Sequence, residues 1–417
     1  MTEKAIIIGD GVVGLLTGLA LARRGLAVTI VDADGARQAA SWGNAGHIAI
    51  EQVEPLASYA AIRSAPRRLF SRGGALGLPP AQIACWAPFA WRMLHAASPR
   101  RFETGKVALS GLVGAAMPAW QRLAASLPDA DLLRQDGHFV LWGSSAAAAE
   151  GRAVWRSADT GTARFRDVDE GERRRLAGLT GAASIDAIRF TNSGQVTDLG
   201  RLADALEAAL IAAGGAIMRG RAQLMPDRGR VGVAIDGAAI EADHVVLAAG
   251  VRSGRLIAPL GHRAPIIAER GYHIRTRDHG WPAGLPPVVF EDRAMIVTRY
   301  ADCVQAASFV ELGDPDAPPD EAKWRRLEQH VAELGLPMRG PFDLWMGSRP
   351  TLPDYLPAIG RSRRATNLFY AFGHQHLGLT LAPITGEIVG ALIAGEAPPV
   401  AIDAFDIARF DRRGRRT

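Results

Sequence analysis

The chain has 417 residues, of which 48% are hydrophobic and 22% charged, enough apolar material for a large core and enough length for two interleaved domains. Its formal charge of +5 comes almost wholly from arginine, since Lys4, Lys106 and Lys323 are the only lysines; the arginines are scattered among 43 acidic residues, which argues against a nucleic-acid-binding stripe. Only Cys85 and Cys303 occur, far apart, which excludes a disulfide framework and a cysteine-based metal site and suits a reducing cytoplasm.

The opening reads strand, glycine turn, helix, strand: "KAIIIG", "DGVVGLLTGLALARRG", "AVTIVD". This is one βαβ unit. Its apolar run carries Asp10 and several glycines, so it is predicted to be folded structure and not a signal peptide or anchor. Gly9, Gly11 and Gly14 form GxGxxG around Val12 and Val13, and Asp32 ends the second strand. In that context the motif means a tight turn, close backbone approach to a pyrophosphate, and a carboxylate for ribose hydroxyls. Both FAD and NAD sites use this fingerprint, and Asp32 disfavours a 2′-phosphate.

From Ala39 to about Arg101 the chain reads as irregular and rich in Ala, Pro, Trp and Arg. Within it, "CWAPFAWRMLHAASPRRF" suits either a membrane-docking amphipathic helix or a helix packed on its neighbours. A helix is predicted near Val107 to Leu127, a strand over Gly137 to Trp142, and another helix from Ala146 to Ala158. Asp198 is predicted to cap a helix that ends at Gly214 and Gly215. The segment "AAIEADHVVLAAG" then ends in glycine, at Ala249 and Gly250, as the first strand did. Short strands, the helix "DEAKWRRLEQHVAEL", the strand "NLFYAF", a glycine loop and a helix from about Pro383 to Ala394 close the chain. Pro383 and Glu387 interrupt the last apolar run, so no membrane span is expected.

The pattern predicts an α/β fold. A discontinuous Rossmann-like domain comprises residues 1–50, 190–265 and 345–400, residues 51–189 and 266–344 form an interleaved domain on an antiparallel sheet, and 401–417 is a basic tail. In the loop "GHQHLGLTLAP", His374 and His376 could hold a metal, move a proton or line a pocket. Two histidines lack a third ligand, and no HExxH or Cys/His cluster accompanies them, so no metal is expected.

"IIIGDGVVGLLTGLALARRGLAVTIVD", "ADHVVLAAG" and "LFYAFGHQHLGLTLAPITGEIVGALIAG" together resemble the D-amino acid oxidase superfamily of FAD enzymes over nearly the full chain. "SWGNAGHIAIEQVEPLAS", "ERGYHI" and "GSRPTLPDYLPAIG" resemble its bacterial D-amino acid dehydrogenases, closest to those acting on cis-4-hydroxy-D-proline. The resemblance implies non-covalent FAD, because neither cysteine lies in the glycine loop where sarcosine oxidase-like relatives attach it. It implies FAD contacts from Asn44, Ala45, Gly46, Gly360, Gly373, His374, Gly378, Leu379 and Thr380. It further implies that Arg349 grips the substrate carboxylate, for which a planar guanidinium is suited, and that Tyr272 either hydrogen-bonds the substrate or is a buried strand tyrosine; His47 is a second candidate near the flavin ring. His376 stands where glycine oxidase-like proteins carry a second arginine, which implies room for a bulkier or ring-shaped amine.

The implied reaction is hydride transfer from the substrate α-carbon to flavin N5, with electrons passed to a quinone or other carrier. The alternatives are a glycine- or sarcosine-type oxidase and an FAD-binding subunit inactive outside a hetero-oligomer. The expected location is cytoplasmic, with peripheral contact at the inner face of the membrane as a variant.

Overall fold

The first strand, β1 (Lys4–Ile8), is apolar at every position but its first because both its faces are covered. Ala5 and Ile7 join the core made with helices α1 (Val12–Ala22) and Leu199–Ala212. Ile6 and Ile8 face the three-stranded antiparallel sheet Ala222–Asp227, Arg230–Ile235 and Ala238–Ile240. The computed structural model describes residues 2–35, 37–180 and 186–411. Arg412, Arg413, Arg415 and Arg416 of the expected tail lie outside the described residues.

Around β1 a six-stranded sheet runs in the order Ala216–Arg219, β2 (Ala27–Asp32), β1, His244–Leu247, Leu368–Phe372, Ala358–Arg361. All neighbours are parallel except the last pair. The second large sheet is mainly antiparallel and contains Asp343–Thr351, Ile267–Thr276, Val304–Gly313 and Met295–Arg299 as successive neighbours. Helix Glu321–Glu333 covers one face of it, burying Leu327 and Val331 among Ile274, Val297 and Ala306. The result is the mixed α/β architecture expected from the alternating pattern.

Four local expectations change. The helical stretch near Val107 to Leu127 is two helices, Pro99–Gly114 and Ala116–Ser126, because Pro118 has no N–H to continue a helix onto the Gly114 carbonyl. The irregular segment contains a 14-residue helix, Ile83–Ala96. Residues 401–411, read as the start of a tail, pack on the body: Phe405 and Ile407 are buried, and Arg409 pairs with Asp354 at 2.7 Å.

The closing helix starts earlier than Pro383 suggests, spanning Gly378–Ile393. Pro383 cannot donate to the Leu379 carbonyl, and the Trp120 indole Nε1 donates there instead, at 3.2 Å, and to the Thr380 carbonyl at 3.1 Å. A distant side chain thus supplies what the proline removes. With the preceding turn, the helical run Gln375–Ile393 is long and apolar enough to cross a membrane, yet 72% of its apolar window is buried inside the fold, against α1 and Ala116–Ser126.

Candidate active site

The glycine turn is built by steric exclusion. Gly9 has φ +113°, and a Cβ there would lie 2.4 Å from the Ala248 carbonyl oxygen; a Cβ on Gly14 would lie 1.9 Å from the Gly9 carbonyl oxygen. Those two glycines bring helix, turn and neighbouring strand together, while Gly11 lines the cavity beyond. The first helical N–H, on Val12, donates to Ser41 Oγ at 3.1 Å. Asp32 Oδ2 accepts from the Asp10 N–H at 2.9 Å and Oδ1 from the Asp34 N–H at 2.8 Å, which fixes the carboxylate at the sheet edge. Arg219, beside Asp32 in register, donates to Asp10 Oδ2 at 2.5 Å. Burial and the Asp32 charge nevertheless push the Asp10 carboxyl up, to about 6.

From this turn a single cavity of about 2300 Å³ extends to the second sheet. It exceeds the roughly 300–1,000 Å³ of an ordinary small-ligand pocket. Gly9, Gly11, Val13, Asp32, Asn44, Ala45, Ala249, Gly250, His374, Gly378 and Leu379 line it. A glycine turn at a helix start, a fixed carboxylate at the end of the second strand and this volume fit a dinucleotide with room for a small substrate. Neither cysteine lines the cavity, so its walls offer no thiol for a covalent link.

At the far end stands Arg349. In strand Asp343–Thr351 it is directly opposite Glu269, to which its Nη1 donates at 3.0 Å. A Cβ on Gly271 would lie 2.2 Å from Arg349 Nη2, so the missing side chain makes space for the guanidinium. Glu269 is 1% exposed and also accepts from Thr351 Oγ1 at 3.2 Å. Tyr355 is buried beside it; burial and the Glu269 charge hold that phenol well above its usual range. His376 lines the same cavity, and burial lowers its pKa, so it is neutral near pH 7.

His47 lines the wall with Glu51 and His138. His47 Nε2 lies 3.0 Å from Glu51 Oε1, while His47 Nδ1 and Glu51 Oε2 are buried without a partner. Burial favours the neutral acid of Glu51, but the facing charges of His47 and His138 and the hydrogen bonds to the carboxylate together outweigh it and depress the carboxyl to about 2. His138 stacks on Phe190, shares a 2.7 Å hydrogen bond with Ser193, and is pushed by burial to about 3. Donor atoms of His47, Glu51 and His138 all lie within 4.8 Å, the grouping among the described residues best placed to receive a cation.

Several predicted contacts fall elsewhere. Tyr272 borders the cavity but projects from the face of its strand opposite Glu269 and Arg349; its hydroxyl donates to Glu311 at 3.0 Å and accepts from the Asp320 N–H at 3.1 Å, so that hydroxyl is turned away from a substrate on Arg349. Thr380 is 1% exposed, and its hydroxyl oxygen accepts from the Ala49 N–H at 3.0 Å, away from the cavity. Gly360 makes room for the Tyr370 ring, not for a cofactor: a Cβ there would lie 2.9 Å from the phenol oxygen. Val12, Gly14, Gly46 and Gly373 stand behind the wall. His374 Nε2 lies 3.0 Å from Thr385 Oγ1, whose own proton goes to the Leu381 carbonyl, so the imidazole donates and is held as a neutral structural group.

The sequence reading missed Asp10, Glu51, His138, Glu269, Tyr355 and Trp345. Trp345 stacks on His273 with ring centroids 4.8 Å apart, and its indole fills the space left by Gly43 and Gly347.

Residues 4–392 match the family described as FAD dependent oxidoreductase (DAO). A D-amino-acid oxidase of Bradyrhizobium diazoefficiens is 29% identical over 97% of this chain and 98% of its own length. A D-amino acid dehydrogenase of Cereibacter sphaeroides is 29% identical over 99% of this chain and 97% of its own length. Among solved structures, glycine oxidase from Geobacillus kaustophilus matches with a TM-score of 0.71 at 20% identity, covering 98% of this chain and 99% of that one. Iminodiacetate oxidase from Chelativorans sp. BNC1 matches at 0.69 and 21% identity, covering 96% and 98%. At these identities the structural likeness is one of fold.

Proposed function

The chain belongs to the FAD-dependent oxidoreductase (DAO) family, and from that premise we propose that it oxidises a D-amino or cyclic imino acid, of the D-proline or cis-4-hydroxy-D-proline type, and passes the electrons to a quinone or another carrier. It is an enzyme, and its cofactor is FAD. The observation that carries the substrate class is that Arg349, held by Glu269, shares one cavity with His376 and with the His47–Glu51 pair.

Gly9, Gly11, Asp32 and the loop at Gly378 would hold the cofactor, which supplies a two-electron acceptor when bound. Arg349 receives the substrate carboxylate in two charge-assisted hydrogen bonds, its angle fixed from behind by Glu269. Neutral His376 adds no second cation, so a carboxylate is held at one point and a ring can occupy the adjoining space. The amine must be neutral before its carbon gives up a hydride. That proton passes to water, because His47 Nδ1 is buried away from the cavity and Nε2 faces Glu51, and the His47–Glu51 pair serves to fix this part of the wall. The product imine hydrolyses in water, or remains cyclic when the substrate is a proline.

The test is anaerobic titration of the holoenzyme with cis-4-hydroxy-D-proline, D-proline and D-alanine, following the oxidised-flavin band. Bleaching by one of these and not by its L-enantiomer is expected, with the ring substrates fastest. A flavin that none of them reduces would refute the assignment. Oxygen uptake matching turnover would replace the carrier with direct oxidation.

A further inference from the structure

Between Glu54 and Glu103 there are seven arginines and no carboxylate, more positive charge than the +5 of the whole chain. None of the seven pairs with a carboxylate among the described residues. Arg68, Arg72, Arg92 and Arg101 reach only backbone carbonyls, of Ala61, Pro66, Pro88 and His95. Other arginines in the chain are neutralised, as Arg166 is by Glu172 and Arg252 by Asp316. This segment is an uncompensated basic surface.

The same segment holds an apolar helix with two apolar stripes. Trp86, Phe89, Met93 and Ala96 of helix Ile83–Ala96 face inward, onto Ala57, Ile267, Leu312 and Tyr355. At a spacing of i, i+4, i+8 and i+11, Ile83, Ala87, Trp91 and Leu94 form the other stripe, and it faces out: Ile83 is 55% exposed, Trp91 64% and Leu94 39%. Leu56 and Tyr59 add exposures of 44% and 47%. Trp91, Leu94 and Leu56 also rim the cavity, together with Arg67, Arg68 and Arg72. A helix this apolar is ordinarily buried on most sides, and exposed patches of this kind mark interaction surfaces.

We propose that this face docks on an anionic lipid bilayer, with the outer stripe entering the interface and the arginines contacting lipid phosphates. Bulky apolar tips including tryptophan, ringed by arginines, are the composition an interfacial helix uses. A second copy of the chain would bring seven like charges against the same face and be repelled. Docking would set the cavity mouth against the lipid surface. The inference concerns the surface alone and stands whichever substrate the cavity takes.

The holoenzyme should float with vesicles of phosphatidylglycerol and phosphatidylethanolamine, remain behind with pure phosphatidylcholine, and dissociate as salt is raised. Trp91→Gln with Leu94→Gln should weaken flotation tenfold or more, and Arg67→Ser with Arg72→Ser should lower the salt concentration at which the protein dissociates. Each variant must keep its flavin content and melting temperature, as substitution of exposed side chains allows. A wild-type holoenzyme that stays in the soluble fraction with phosphatidylglycerol vesicles overturns the inference. So do variants that float like the wild type, and so does capture by an acidic protein without vesicle binding.

Discussion

Replacing Arg349 with alanine should have two separable effects. The first is on binding: two charge-assisted bonds to a carboxylate, at roughly 1.5–3 kcal/mol each, correspond to a fall in kcat/KM of about 10²- to 10⁴-fold. The second is on the fold. Glu269 is 1% exposed, and without the guanidinium 3.0 Å away it keeps Thr351 as its hydrogen-bonded partner in place of a cation. Stranding a buried carboxylate costs about 3–5 kcal/mol, and because the Arg349 side chain is 28% exposed, about 3 kcal/mol is the better figure here. Glu269→Gln in the alanine background should therefore restore the melting temperature without restoring kcat/KM. Steady-state reduction of an artificial dye gives the first quantity and thermal unfolding the second. An Arg349→Ala enzyme whose kcat/KM stays within about threefold of wild type would refute the carboxylate role. A double variant no more stable than the single one would refute the burial reasoning.

Asp32→Ala should weaken FAD binding roughly 10- to 100-fold, the loss of one or two charge-assisted bonds, read by fluorescence during reconstitution of the apoprotein; an unchanged affinity would count against the ribose contact. Glu51 has a carboxyl depressed to about 2 from an ordinary value of 4.5, so its contribution is complete above about pH 4.5 and lost as pH falls through about 2. Denaturant unfolding of wild type and Glu51→Gln should converge over that window by up to about 3 kcal/mol, and parallel pH profiles would dismiss the charged pair. Trp120→Phe keeps the packing but strips the donor from the carbonyl that Pro383 leaves without a helical partner, so a loss of about 1–3 kcal/mol is expected in urea melts, and an unaltered midpoint would contradict that account of the helix start.

What could be seen in the sequence was what lies close together along it. The fingerprint from Gly9 to Asp32 is one continuous βαβ unit, so its spacing carries its geometry. Arg349 was legible through the motif around it, but its anchor Glu269 is 80 residues away on a paired strand. Glu51 and His138 meet across segments with no signature spacing. Tyr272 is turned from Arg349 by strand parity: Glu269 and His273 point one way and Tyr272 the other, and the strand alone does not say which face Arg349 shares. Thr380 and Pro383 misled for a related reason, since the Ala49 N–H that engages the Thr380 hydroxyl lies 331 residues away and Trp120, which supplies the donor Pro383 lacks, lies 259 residues from Leu379.

The six-stranded sheet seats residues 4–8 between residues 27–32 and 244–247, with 368–372 next in line, while the closing helix lies against α1. On the ribosome, the glycine turn is made before the strands 244–247 and 368–372 and the closing helix, and it waits for all three before its floor and far wall exist. A nascent chain halted short of the closing helix would expose the apolar sides of α1 and retain no complete pocket for the flavin. The pocket for the cofactor is therefore complete only once the closing helix has been made, and its completion depends on pairing between segments far apart in the chain, which is intrinsically slow.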